Sequence, residues 1–182
     1  MRYLIRSVMV LIILLALGIV LVYTEVIRTP EKSYSNRGEI LTVVATTVTE
    51  LDRVLYAELG QNFLIEPIEK ENTLAVVKAR VLNQESTQIS LSVDGEAARL
   101  SVTHESIKGS REFFPLDFRE YGIETEELIP VNYLYSPFLW GESQISQGFE
   151  LGGWMIFEVP KGSRYLGFAW DDVEFIKVIY PK

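Results

Sequence analysis

The chain has 182 residues with one histidine and no cysteine, and its formal net charge is −8 at pH 7. The lack of cysteine excludes disulfides, thiolate catalysis and cysteine-ligated metal. Of the 17 basic and 25 acidic residues, three basic and one acidic precede Glu31, so the remainder carries a net charge of −10. Such a charge repels phosphate backbones, and no nucleic-acid partner is expected.

The first element is an uncharged apolar run, Val8–Tyr23, which Arg2 and Arg6 precede. A bilayer core of about 30 Å requires roughly 17 to 25 apolar residues, and residues 7–23 reach the lower limit. Basic residues before the run favour a cytoplasmic N-terminus. The sequence therefore predicts a membrane anchor over residues 1–23 that contacts the lipid bilayer through residues 7–23. It places the protein in the cell membrane as a single-pass chain, with its C-terminal domain outside.

A cleaved signal peptide is the alternative interpretation of this run. Signal peptides have a shorter apolar region that ends in a small-x-small cleavage site. Here Ala16 and Gly18 lie inside the run, and Tyr23-Thr24-Glu25 offers no such site. The uncleaved anchor is the favoured interpretation, and cleavage stays open.

Residues 24–39 combine proline, serine, asparagine and glycine with charged residues, which is typical of a tether. The remaining stretch, 40–182, has the length of one domain. Its β-branched and alternating segments predict an all-β fold, and Asp94-Gly95 predicts a tight hairpin between two of the strands. Strands are expected at 40–49, 61–68, 74–82, 88–93, 98–102, 154–159, 165–170 and 173–180.

Short strands separated by turn residues, without a long amphipathic helix, indicate a β-sandwich. Glu158 marks its own face of the 154–159 strand as solvent-exposed, so Phe157 on the opposite face is expected in the core. The stretch 105–137 contains three prolines and shows no clear period, and we interpret it as a long loop.

Three segments of the chain resemble a known family: TVVATTVTELDR, VVKARVLNQES and GGWMIFEVPKGSRYLGFAWDDVEFIKV. They are similar to the immunoglobulin-like accessory domains of unknown function found on prokaryotic secreted and membrane-anchored proteins. Asn83 and the stretch from Gly153 to Pro160 match positions of that family's pattern. The resemblance extends over roughly residues 40–179 and implies an immunoglobulin-like β-sandwich and an extracytoplasmic location. It supplies no catalytic residues.

Aromatic residues crowd one short span of the sequence. Exposed aromatic rings on β-sandwiches stack against sugars or bind proteins, whereas large aromatics more often fill a core. Both interpretations stay open for this span. The candidate binding residues are Tyr133, Tyr135, Phe138 and Trp140.

Two other patterns contain residue types that occur in catalytic or metal-binding sites. His104 lies near Ser106 and Glu105, but sequence neighbours on a strand point to opposite faces, so a surface or capping role is favoured over a general base. Calcium requires six to eight oxygen ligands, and the acidic clusters are explained better by solvated turns. No metal and no cofactor are therefore predicted. The acidic clusters are Asp171, Asp172 and Glu174, and Glu124, Glu126 and Glu127.

Together these patterns predict a membrane-anchored, extracytoplasmic binding or structural module of the cell envelope, without catalytic activity. Its expected partner is another envelope protein or a glycan. One alternative is a carbohydrate-binding module that uses the aromatic span 133–140. A second alternative is a hydrolase that uses His104.

Overall fold

The computed structural model describes residues 32–127, 135 and 137–181. Within these ranges the fold is almost entirely antiparallel β-structure with a single short helix. The strands are β1 (Ser33–Arg37), β2 (Leu41–Thr46), β3 (Thr49–Leu51), β4 (Val54–Glu58), β5 (Gln61–Ile65), β6 (Asn72–Asn83), β7 (Gln88–Val93), β8 (Ala98–Thr103), β9 (Arg111–Phe113), β10 (Ile123–Thr125), β11 (Gly141–Ser146), β12 (Glu150–Pro160), β13 (Arg164–Asp172) and β14 (Glu174–Ile179), and the helix is α1 (Phe118–Tyr121).

The predicted anchor, 1–23, lies outside the described residues. Among the residues that are described, no helix is long and apolar enough to cross a membrane. The end of the predicted tether, 24–39, is folded, because β1 pairs antiparallel with β2. A compact unit therefore begins at Lys32 rather than at residue 40. Polar residues gave no apolar alternation in β1, which is why the sequence did not predict this edge strand.

A central sheet has the strand order β1-β2-β6-β12, and β3 also pairs with β6. Strands β2 and β3 form the predicted 40–49 strand with one extra residue in the middle, since Ala45 lies opposite Ala79 but Thr49 lies opposite Val76. This is the arrangement of a β-bulge. The Thr46 hydroxyl accepts a hydrogen bond of 3.0 Å from the Lys78 N–H, which satisfies the donor at the bulge.

One face of the central sheet packs against two further sheets, an opposing sheet with the order β14-β13-β8-β9 and the β7–β11 pair. Alternate residues of all these strands point into a shared apolar core. Phe157 is fully buried there, which confirms its predicted position. The arrangement is sandwich-like and agrees with the predicted all-β class. The largest core side chains include Trp170, Phe157, Phe168, Leu41, Leu91, Leu100 and Met155.

The other face of the central sheet is covered in part. A small sheet with the order β10-β5-β4 packs with α1 over the first half of β6 and over Ile156. As a result, residues 73–77 of β6 are buried on both faces, whereas Lys78 and Arg80 further along are exposed. This partial third layer holds a second apolar cluster, separate from the main core.

The turn at Asp94-Gly95 is not the predicted hairpin. Strand β7 pairs with β11, whereas β8 pairs with β13 and β9, so the chain crosses here from one sheet to another. Gly95 does not have a positive φ, and the Asp94 carboxylate instead accepts a hydrogen bond of 2.8 Å from the Glu96 N–H. Alternation of period two is the same for hairpin strands and for strands that face each other across a core.

The stretch 105–137, predicted as a long loop, contains β9, α1 and β10 within its described part. Pro115 forms a bridge with Phe157, and the Leu116 N–H donates to the Ile156 carbonyl at 2.8 Å. The stretch therefore covers an edge of β12 rather than leaving it open. Short elements of three or four residues leave too little periodic signal to be seen in a sequence.

The buried position of Phe157 gives the first prediction. Phe157→Ala should lower the free energy of unfolding by about 3–5 kcal/mol, because it leaves a cavity in the main core. Phe149→Ala is a matched control, since the Phe149 side chain is 68% exposed and the change should be close to neutral. Urea unfolding followed by circular dichroism measures both. Equal losses in the two variants would contradict the assigned core.

Candidate functional site

The structure describes three of the four candidate residues, since Tyr133 lies outside the described ranges. The backbone on either side of Phe138 runs along β12. The Leu139 N–H donates to the Trp154 carbonyl, and the Trp154 N–H donates to the Pro137 carbonyl, each at 3.0 Å. Gly153 permits this approach, because a Cβ there would lie 2.6–2.9 Å from backbone atoms of residues 137–139.

Phe138 is partly buried and packs against the second apolar cluster. Its ring stacks on Phe118 with centroids 4.3 Å apart and meets Tyr56 edge to face at 5.0 Å. Trp140 contacts Phe118 edge to face at 6.4 Å. Aromatic pairs in these geometries stabilise the folded chain beyond the area that they bury. The packing gives Phe138 a structural role between the central sheet and α1.

Tyr135 contacts Trp154 edge to face with centroids 5.1 Å apart. The Lys78 ammonium lies 5.4 Å from the Trp154 ring centroid, so this ring already makes a cation–π contact. Tyr135, Trp140 and Trp154 are all partly buried. The three described candidate residues are therefore partly buried and pack against the second cluster.

Helix α1 supplies part of this cluster, and its local sequence explains its position. Asp117 is the N-cap, and its carboxylate accepts a hydrogen bond of 2.9 Å from the Arg119 N–H. The Tyr56 hydroxyl donates to the Phe118 carbonyl at 2.8 Å. Burial, helped by the carboxylates of Glu58 and Asp117, raises the pKa of Tyr56 to about 12, so it stays a neutral donor.

Sequence reasoning missed Tyr56 and Phe118 as members of the cluster. The available signal was Asp117-Phe118, a capping residue followed by an aromatic, which is typical of a helix start. Gly122 closes the helix, and a Cβ there would lie 2.0 Å from the Tyr56 hydroxyl. A glycine at that position is therefore required by packing.

The His104 ring forms hydrogen bonds within its own turn. Its Nδ1 lies 2.8 Å from the Ser106 hydroxyl and accepts a hydrogen bond of 3.1 Å from the Ser106 N–H. Among the described residues no carboxylate forms an ion pair with the imidazole. A general base that activates serine needs such an orienting group. The geometry is that of a local turn.

Several carboxylates of the two acidic clusters have partners elsewhere in the fold. Asp171 forms an ion pair with Arg99, and Asp172 accepts a hydrogen bond of 2.9 Å from the Ser92 N–H. Glu127 pairs with Arg53 at 2.9 Å, away from the 171–174 turn. Within the described ranges no group of three or more histidine or acidic side chains is arranged to hold a metal ion.

Glu174 has the most extensive contacts of these carboxylates. Its two oxygens accept hydrogen bonds from the backbone N–H groups of Glu39, at 2.9 Å, Ile40, at 3.0 Å, and Leu41. These contacts join the start of β14 to the segment between β1 and β2. Val173, just before it, has a φ of 67°, which is strained for a β-branched residue.

A shallow cleft of about 440 Å³ lies on the outer face of the β7–β11 pair. It is open to solvent, and its lining combines serine, glutamine and glutamate residues with Leu91. No sequence motif pointed to it, because its residues are the ordinary outward positions of two strands. They include Ser90, Ser92, Glu142 and Gln144.

Comparison with known proteins gives no match to a family model, to a curated protein or to a solved structure.

The ring packing gives the second prediction. Phe138→Ala should lower the free energy of unfolding by about 2–3 kcal/mol, because the truncation removes stacking on Phe118 and opens the second cluster. Urea unfolding measures the change against Phe149→Ala, the exposed control. A loss no larger than that of the control would mean that the ring is free to act as a binding platform.

The contacts of Glu174 give the third prediction. Glu174→Ala should cost about 2–4 kcal/mol of unfolding free energy, because three backbone donors lose a charged acceptor. Glu174→Gln keeps one acceptor oxygen and should cost less. Glu105→Ala, at an exposed position of the same charge, serves as the control. If Glu174→Ala melts at the same temperature as that control, the contact contributes nothing to stability.

Proposed function

We propose that this chain is a membrane-anchored, extracytoplasmic module of the cell envelope that binds or supports another envelope component and catalyses no reaction. The uncharged run over residues 7–23, with Arg2 and Arg6 before it, supports the anchor and its orientation. The compact antiparallel β unit from Lys32 onward supports an independently folded domain. Another envelope protein or a glycan is the proposed partner.

One observation favours a binding module over an enzyme. Carboxylates at two places in the fold act as structural acceptors for the backbone. Besides Glu174, the Glu158 carboxylate accepts hydrogen bonds from the Ile68 N–H at 3.1 Å and from the Glu69 N–H at 2.8 Å. A catalytic carboxylate must reach a substrate proton, and these oxygens are already engaged. Large apolar side chains are exposed elsewhere on the unit.

The immunoglobulin-like assignment belongs to the same proposal. Asn83, a position of the resembled pattern, is fully buried, and its side-chain amide donates to the Ser86 and Ile145 carbonyls at 2.8 and 2.9 Å. These two hydrogen bonds connect the turn that follows β6 to strand β11. Gly153, another such position, permits the close approach of residues 137–139. Both residues have structural roles, as expected of positions that define a fold.

A carbohydrate-binding module is the second candidate, and a specific observation supports it. Tyr135 and Trp140 are only partly buried at the margin of the second cluster, so each presents some ring surface to solvent. Phe138 is less suitable, because Phe118 and Tyr56 contact it on two sides. The hydrolase alternative has less support, since the hydrogen bonds between the His104 ring and Ser106 lie within one turn.

The fourth prediction tests anchorage and orientation. The full chain should remain in the membrane pellet after alkaline carbonate extraction, and deletion of residues 7–23 should move it to the supernatant. Protease added to intact spheroplasts should remove the folded domain and leave a short membrane-held fragment. Complete protection would reverse the orientation. An intact domain recovered from the medium would instead indicate cleavage after the apolar run.

A further inference from the structure

Strand β1 covers the outer edge of the central sheet but buries little of its own surface. Tyr34 is partly buried, and the other side chains of β1 are exposed. In the neighbouring strand β2, by contrast, Leu41, Val43 and Ala45 are fully buried in the main core, and β2 pairs on its far side with β6. Strand β2 therefore keeps its core contacts and its pairing with β6 whether or not β1 is in place.

The contacts that hold β1 in place are mainly polar. Its backbone pairs antiparallel with β2. The Asn36 side-chain amide donates to the Lys177 carbonyl at 2.9 Å, and an exposed ion pair of 2.7 Å joins Arg37 to Glu85. Water competes for exposed ion pairs and edge hydrogen bonds, so each contributes little net free energy. Tyr34 is the side chain of β1 that packs against the main core.

The attachment becomes stronger directly after β1. There the Glu174 carboxylate accepts hydrogen bonds from the backbone N–H groups of Glu39, Ile40 and Leu41. Hydrogen bonds to a charged acceptor are roughly twice as strong as neutral ones. Gly38 permits this approach, because a Cβ there would lie 2.5 Å from the Glu174 carboxyl group. An opening that starts at the first residue of β1 should therefore stop at this contact.

We infer that residues 32–38, which we call the β1 strap, open as a unit while the rest of the β structure stays folded. Local opening requires the least free energy where few apolar contacts are lost, and in β1 these are the contacts of Tyr34. In the open state the strap becomes extended chain. At about 3.5 Å per residue, its seven residues span roughly 25 Å.

The β1 strap follows the segment that connects it to the proposed anchor, and in this respect the inference rests on the proposed function. Load on that segment acts first on Lys32, whose carbonyl accepts a hydrogen bond of 2.7 Å from the Thr47 N–H. Opening of the strap lengthens the connection between residues 7–23 and the folded unit. The folded unit thereby gains reach from the membrane without losing its main core.

Hydrogen exchange of the full chain in detergent micelles measures the opening. Mass spectrometry follows peptides from the β1 strap and from β6, residues 72–83, at several low urea concentrations. Strap amides should exchange at least about tenfold faster than β6 amides, yet more slowly than an unfolded peptide. Their exchange rate should change little with urea, because the opening exposes little surface, whereas the exchange rate of β6 should rise with urea.

A disulfide across the strap gives a matched test, since the chain has no native cysteine. Ser35 and Val44 are register partners in β1 and β2, as Ser90 and Gln144 are in β7 and β11. The oxidised double variant Ser35→Cys/Val44→Cys should slow strap exchange at least about tenfold, and reduction should restore the rate. The oxidised control Ser90→Cys/Gln144→Cys should leave strap exchange unchanged, because it restrains a different pair of strands.

Strap amides that exchange together with β6 at every urea concentration would overturn the inference, because the strap would then open only by global unfolding. Exchange as fast as in an unfolded peptide would also overturn it, as would equal effects of the two disulfides. Carbonate extraction of membranes separates failure of the anchor. A membrane-held chain whose strap does not open refutes the strap alone, whereas a chain released by carbonate refutes the anchor and with it the gain in reach.

Discussion

The structure depends on the central position of strand β6. It pairs with β2 and β3 along one edge and with β12 along the other, and residues 73–77 are buried on both faces. Strands β6 and β12 both supply side chains to the main core on one side and to the second aromatic cluster on the other. Because protein interiors are close-packed, a shift of β6 would disturb both clusters at once.

Sequence reasoning predicted most of the strands, and it did so where alternation was clean. Leu74–Leu82 and Trp154–Val159 are strands, and the face that carries Phe157 is the buried one. Sequence reasoning did not predict which strands pair with each other. The turn at Asp94-Gly95 connects two sheets, because a period of two residues specifies which side chains share a face and not which strand lies beside them. Polar or short strands such as β1 and β11 carry too little apolar signal to be recognised.

The candidate site was predictable only in part. Tyr135, Phe138 and Trp140 pack against the second cluster, and their neighbours Tyr56 and Phe118 come from distant parts of the chain. No spacing rule links residues so far apart in sequence. The structural role of Glu174 was equally invisible, since its three backbone donors lie more than 130 residues earlier. Acidic residues at a turn look alike in sequence whether they contact solvent or backbone.

The contact between Glu174 and residues 39–41 has a consequence for biogenesis. The segment between β1 and β2 leaves the ribosome more than 130 residues before the side chain that satisfies its N–H groups. This contact cannot form until β14 has been synthesised, and contacts of such long sequence separation slow folding. Before β14 is available, the strands that it completes are exposed, and such partly folded species are prone to aggregation.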